Sequence, residues 1–171
     1  MEMWRSGQAI TAAGLNRMLP LTAWKTDQTS RASTTTATAD PDLVIEIPDD
    51  ALVAYAIEIG LNLTGAALGS GDVKVGLEYS GSLGTNNWMG IGTDTTSVDN
   101  ANFFGRSIDG NTQPYGVNGG NFSLVHINGL IEPSTAGTLS LLWAQNTSSA
   151  TATNLRQGSW MRLTPLEPPT P

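Results

Sequence analysis

Val73-Lys74-Val75-Gly76-Leu77-Glu78-Tyr79 alternates apolar and polar residues without a break, with Asp72, Lys74, Gly76 and Glu78 opposite Val73, Val75, Leu77 and Tyr79. Side chains on extended backbone point to opposite faces at successive positions, so this period of two specifies a strand with one face in a core. Upstream, Val53-Ala54-Tyr55-Ala56-Ile57-Glu58-Ile59-Gly60-Leu61-Asn62-Leu63 carries the same period over a longer run. Before it, Leu43-Val44-Ile45-Glu46-Ile47 ends at Pro48, and Pro48-Asp49-Asp50 is a turn signal. The pattern extends back to a strand over residues 21–26 around Trp24 and to a Thr/Ser-rich stretch, 29–38, read as an edge strand or a loop. Downstream, residues 122–131, 137–146 and 158–164 form a closing block of three strands. Eight to ten strands with no helix between them predict an all-β, antiparallel jelly-roll sandwich spanning residues 21–164.

Composition agrees with that class. A chain of 171 residues suits one domain, and 19 glycines with a charged fraction of 13% favour short strands and turns over helices. The net charge of -7 opposes binding to nucleic-acid phosphates, which need clustered Lys and Arg, and opposes docking on anionic lipid. No apolar run approaches the ~20 residues a spanning helix requires. The chain has no cysteine, which removes thiolate chemistry and disulfides. Its first residues, Met1-Glu2-Met3-Trp4-Arg5, do not read as a secretion signal.

The two ends and the middle depart from the strand pattern. Thr11 is a good N-cap for Ala12-Ala13-Gly14-Leu15-Asn16-Arg17-Met18-Leu19, and Pro20 stops the run, which predicts a short helix within an N-terminal segment, 1–20. Two turns of helix are unstable alone in water, so Leu15, Met18 and Leu19, with Trp4 beside them, are expected to dock on a partner. Residues 165–171 form a proline-rich tail expected to be extended. Between Ser80 and Asn121 the period fades into Gly, Asn, Ser, Thr and Asp, which predicts long decorated loops with apolar islands at Trp88-Met89-Gly90-Ile91 and Phe103-Phe104.

Few groups suggest reaction chemistry. The single histidine, His126, falls inside a strand with no nucleophile motif around it, which reads as a hydrogen-bonded sheet residue or one lining a subunit contact. Asp40-Pro41-Asp42, Asp49-Asp50, Asp94 and Asp99 offer oxygens but match no calcium loop and read as turn formers; no metal and no cofactor is expected. Gly69-Ser70-Gly71 and Gly90-Ile91-Gly92 read as turns. Trp88, Phe103 and Phe104 are the candidate ligand contacts, because aromatic side chains in a loop-rich region suit a sugar face. Leu139, Leu141, Trp143 and Trp160 are assigned to the core or to an oligomer interface. Leu142, opposite Leu139, Leu141 and Trp143, suggests a strand covered on both faces, which a symmetric oligomer would satisfy.

Trp4-Arg5-Ser6-Gly7-Gln8-Ala9-Ile10-Thr11-Ala12-Ala13-Gly14-Leu15-Asn16 resembles the opening of small structural proteins of tailed bacteriophages. Thr29-Ser30-Arg31-Ala32-Ser33-Thr34-Thr35-Thr36, Asp40-Pro41-Asp42-Leu43, Trp143-Ala144-Gln145-Asn146-Thr147-Ser148, Leu155-Arg156 and Gly158-Ser159-Trp160-Met161-Arg162-Leu163 resemble segments of phage virion proteins, especially of viruses infecting actinobacteria. The resemblance covers about half of the chain, in pieces. It implies a homotrimeric jelly roll, like the tumour-necrosis-factor and complement heads, on the exterior of the particle. It also implies a partner in the major capsid protein or the tail proteins, no catalytic residue, and a role as capsid decoration, head fibre or minor tail protein. A receptor-binding head that contacts a host surface glycan is the alternative.

Overall fold

A computed structural model describes residues 18–120 and 122–166, and these form two antiparallel sheets packed face to face. The strands are β1 (Leu21–Trp24), β2 (Thr29–Arg31), β3 (Thr38–Ile47), β4 (Tyr55–Thr64), β5 (Val73–Tyr79) and β6 (Leu83–Thr93) in the first half. β7 (Ala101–Arg106), β8 (Thr112–Tyr115), β9 (Ser123–Pro133), β10 (Gly137–Gln145), β11 (Thr153–Leu155) and β12 (Trp160–Pro165) complete the chain. One sheet runs β1-β12-β4-β9-β6-β7, with the short β2–β11 pair attached to β4; the other runs β3-β10-β5-β8.

The pairing is nested. β1 pairs β12, β3 pairs β10, β4 pairs β9 and β5 pairs β8, alternating between the two sheets. This is one long hairpin rolled up on itself, the jelly roll expected from the sequence. The remaining strands are additions to those eight. β6 and β7 form a hairpin inserted between β5 and β8, and β6 pairs β9 to widen the main run of the first sheet to six strands, eight with β2 and β11.

The core lies between the sheets and follows the alternation. Tyr55, Ile57, Ile59, Leu61 and Leu63 of β4 face Leu77, Leu139, Leu141 and Trp143 of the opposite sheet, all essentially inaccessible. Each such side chain contributes about 1.5–3 kcal/mol on burial. Leu139, Leu141 and Trp143 are therefore core residues. Leu142 and Ala144, on the other face of β10, are also buried. Residues 107–111, tied down by the Gly110 N–H to the Leu77 carbonyl at 3.0 Å, lie over Leu142. The chain covers this face itself, so the argument from Leu142 to an oligomer falls.

Two further expectations are corrected. Residues 80–121 are not mainly loops, since they hold β6, β7 and β8. Asp40-Pro41-Asp42 is not a turn; it lies within edge strand β3, where the register against β10 jumps from Ser140↔Val44 to Leu142↔Ala39. The extra residues form a bulge, and Pro41, with no N–H to give, suits an interrupted edge ladder. The helix expected over residues 12–19 lies almost wholly outside the described residues, as do Trp4 and Leu15. Met18 and Leu19 are exposed in a turn leading to β1.

Candidate functional site

Strand register places a single row of side chains across the outer face of the six-stranded sheet. Phe103 of β7 is opposite Ile91 of β6, Ile91 opposite His126 of β9, and His126 opposite Gly60 of β4. Gly60 is opposite Trp160 of β12, and Trp160 opposite Trp24 of β1. Directly paired residues share a face, so the six positions point the same way. Trp24 is 61% exposed and Phe103 63%. Large apolar side chains at both ends of one row are not required by the fold, whose core is on the other face.

Gly60 shapes the middle of this row. A Cβ there would lie 2.6 Å from Trp160 Nε1 and 2.9 Å from its Cε2, so the indole lies down over β4 because position 60 has no side chain. The Trp160 ring meets His126 edge-on, with centroids 6.4 Å apart. The Arg162 guanidinium sits 5.8 Å from the indole centroid and donates through Nε to Glu58 Oε2 at 2.8 Å. Trp160 is thus half-buried on the outer face and is not part of the core between the sheets. His126 is exposed, with Nδ1 3.1 Å from the Asn128 amide, and it lines this surface as a hydrogen-bonded sheet residue.

The flanks of the row continue the surface. On one side the register carries Gly105, Met89, Asn128, Glu58, Arg162 and Thr22, with Met89 exposed. On the other side Leu124 and Val98 are exposed, and Phe122 lies under the Arg156 guanidinium at 4.8 Å. Two shallow hollows flank the Phe103–Ile91–His126 ridge. One, about 680 Å³, is lined by Asn87, Met89, Arg106, Asp109 and Asn128 among others; the second, about 350 Å³, by Ile91, Val98, Asp99, Leu124 and His126 among others.

Beneath the ridge the hairpin is anchored by aromatic residues. Trp88 is fully buried and its Nε1 donates to the Ser107 carbonyl at 3.2 Å. Phe104 meets the Tyr115 ring edge-on at 5.8 Å. Tyr115 lies against Gly90 and Gly92, where a Cβ would come within 2.1 Å of its hydroxyl oxygen and 2.7 Å of its Cδ1. Gly90-Ile91-Gly92 is therefore strand and not turn, its glycines making room for a ring. The Tyr115 hydroxyl finds no hydrogen-bond partner among the described residues, and burial pushes its pKa up. Of the three expected ligand contacts, the fold turns Trp88 and Phe104 inward and only Phe103 outward.

Three of the acidic residues flagged in the sequence, Asp40, Asp42 and Asp94, are held by partners within the chain. Lys25 Nζ, wholly buried, lies 2.9 Å from Asp40 Oδ1 and 2.9 Å from Asp42 Oδ2, and donates to Thr29 Oγ1 at 2.7 Å. Asp40 also accepts from Trp143 Nε1 at 3.1 Å and from the Asp42 and Leu43 N–H groups. A lysine thus fills the place between carboxylates that a cation would take. Asp94 Oδ1 accepts the Thr96 N–H at 2.7 Å and the Thr96 hydroxyl, which lowers the Asp94 pKa and makes it the turn former expected. No group of three or more His, Asp or Glu side chains among the described residues is arranged to hold a metal ion.

The row across the sheet was not visible in the sequence, because only register brings residues 24, 60, 91, 103, 126 and 160 into line. No protein-family model matches the chain, and no curated protein matches it.

Proposed function

We propose that this protein is a non-enzymatic structural component of a tailed-bacteriophage virion, displayed as a homotrimer on the exterior of the particle as a capsid decoration or head fibre. The observation that carries the reading is the broad apolar row on the outer face of a six-stranded sheet, a surface suited to contact with other proteins and not to bond-breaking chemistry. The resemblance of the chain's two ends to virion proteins supplies the setting. In this reading residues 1–20, with Trp4, Leu15, Met18 and Leu19, dock on the major capsid protein or on tail proteins, and the sandwich projects outward.

The test is incorporation. Particles assembled with a chain lacking residues 1–20 are expected to lack the protein while the truncated sandwich stays folded; incorporation of the truncated chain would sink the docking role. Copy number per particle separates the locations, hundreds of copies marking the capsid and few marking the tail.

A receptor-binding head is favoured by one specific feature, the hollow lined by Asn87, Arg106, Asp109 and Asn128 beside the Phe103–Ile91–His126 ridge. Amide, guanidinium and carboxylate groups next to apolar side chains suit a saccharide. Phe103→Ala is the probe, since Trp88 is buried; unchanged binding of host-envelope glycan by this variant would remove that reading.

A further inference from the structure

We infer that copies of this chain meet through the outer face of the six-stranded sheet, the Trp24–Trp160 end of one copy packing against the Phe103–Ile91 end of the next. The inference rests on the trimeric reading above and assigns the surface that makes the trimer.

Charge is the first argument. Outward positions on the six strands include Thr22; Trp160, Arg162 and Thr164; Ala56, Glu58, Gly60 and Asn62; Leu124, His126, Asn128, Leu130 and Glu132; Asn87, Met89, Ile91 and Thr93; and Ala101, Phe103 and Gly105. Arg162 and Glu58 pair with each other, which leaves Glu132 unpaired on those strands, while Arg106, Asp109 and Asp99 lie at the hollows toward the β6–β7 edge. The whole chain carries -7, so two copies repel at long range, and the middle of this face, where Glu58 is neutralised by Arg162, adds little to that repulsion. Depletion of charge at the centre with aromatic residues and Met exposed is the composition of an interface core.

Size is the second. The six strands are 4 to 11 residues long, and at about 4.8 Å spacing and about 3.3 Å per residue they give a face of roughly 750 Å², on the scale of the ~800 Å² that one partner contributes to a standard interface. Within that area Trp24, Met89, Ile91, Phe103 and Leu124 are exposed large apolar side chains, interleaved with polar residues as in the interface of a soluble assembly.

Shape sets the arrangement. A closed ring of three copies uses heterologous contacts, so each chain must present two unlike patches. The row supplies them: an indole pair at one end, a Phe–Ile ridge at the other, and between them the low place at Gly60 onto which Trp160 folds. Both ends sit on edge strands, β1 and β7, where a neighbour has access.

The experiment uses the 171-residue chain in sedimentation equilibrium and mass photometry. The wild type is expected to be a trimer. Trp24→Asp and Phe103→Asp, each at a side chain more than half exposed, are expected to weaken assembly about tenfold or more and to run as monomers with unchanged circular dichroism and melting. Trp24→Ser and Phe103→Ser serve the same purpose should an aspartate disturb folding. Glu46→Lys, exposed on the opposite sheet, is expected to leave the trimer intact. An equimolar mixture of the Trp24 and Phe103 variants is the sharpest arm, because it restores one good contact per pair and should give a 1:1 dimer that does not close. A trimeric wild type whose mass survives both substitutions, or a mixture that stays monomeric, overturns this surface and leaves the virion reading standing. A monomeric or dimeric wild type overturns the ring and trimeric display together. Variants that fall apart as expected, in a protein that never enters particles, sink only the virion role.

Discussion

At the scale of single residues, the most consequential group is Lys25, because it is a full charge with no access to water. Its Nζ is surrounded by Asp40, Asp42 and Thr29, and the indole of Trp143 completes the shell around Asp40. Removing one partner from a buried ion cluster leaves the other uncompensated, so Lys25→Met is expected to cost about 3–5 kcal/mol. Urea denaturation against the wild type checks the value; a cost below about 1 kcal/mol, the range of surface pairs, would show that water reaches Asp40. Asp72 is a second buried ionisable residue. It is buried, has a positive φ of 34°, and its Oδ1 accepts the N–H groups of Gly69 and Val117, both at 3.2 Å. Desolvation is the largest influence and raises its pKa despite those two bonds. A carboxyl whose pKa is higher folded than unfolded gives stability that is fully present below the unfolded value and declines as pH rises through the window between the two. Asp72→Asn keeps an oxygen for both N–H groups, tolerates the backbone angle and removes the charge. Equal or greater stability than wild type at pH 7, with the pH slope in the acid range reduced, is expected from thermal melts at several pH values. Asp72→Ala, which strips both acceptors away, is expected to cost about 1–3 kcal/mol.

At the scale of elements, the sequence was most legible where strands bury one face and wet the other, and least legible in the inserted hairpin. β4 and β5 put their aliphatic residues inward at every second position, so period and core coincide. In β6 the arrangement is reversed toward its end. Gly90 and Gly92 point inward, where the Tyr115 ring needs the space, while Met89 and Ile91 point out to the exposed face of the sheet. Read as hydrophobicity alone, such a strand resembles a glycine-rich loop with an apolar island. β7 adds to the confusion because Phe103 and Phe104 are adjacent in sequence and lie on opposite faces. The same account predicts what a methyl group does. At Gly90 it would fall 2.1 Å from the Tyr115 hydroxyl oxygen, a group already enclosed, so the ring must move or β6 must lift. Gly90→Ala is expected to destabilise by about 1–3 kcal/mol, the usual cost of overpacking, measured by chemical denaturation. Trp88 fluorescence should shift with it, since that indole is the nearest large reporter of the hairpin's seating. A neutral substitution would mean that Tyr115 is not held against the glycines.

At the scale of the whole molecule, nested pairing explains why fold class could be read from strands alone while the aromatic row on the outer face could not. A rolled hairpin needs only alternating strands in the right number, and local pattern supplies them. The face depends on β1, β12, β4, β9, β6 and β7 meeting in one register, with partners as far apart in the chain as Trp24 and Trp160. Local reading placed Trp160 in core or interface and Phe103 among ligand contacts, without the information that they share a line. The nature of that line makes the proposed assembly depend on salt in a particular direction. An interface held by ion pairs between copies loosens as salt rises, because screening shortens the reach of charge to about 10 Å at 0.1 M and about 3 Å at 1 M. In the proposed trimer the contact centres on apolar side chains, Glu58 is satisfied within its own chain by Arg162, and the long-range term between copies of net charge -7 is repulsive. Screening therefore removes an opposing force and leaves the attraction in place. Sedimentation equilibrium in sodium chloride from about 0.05 to 1 M should show association unchanged or tighter, with sulfate tightening it further through exclusion from apolar surface. Progressive dissociation as salt rises would instead place charged groups at the centre of the contact and move it away from the Trp24–Phe103 row.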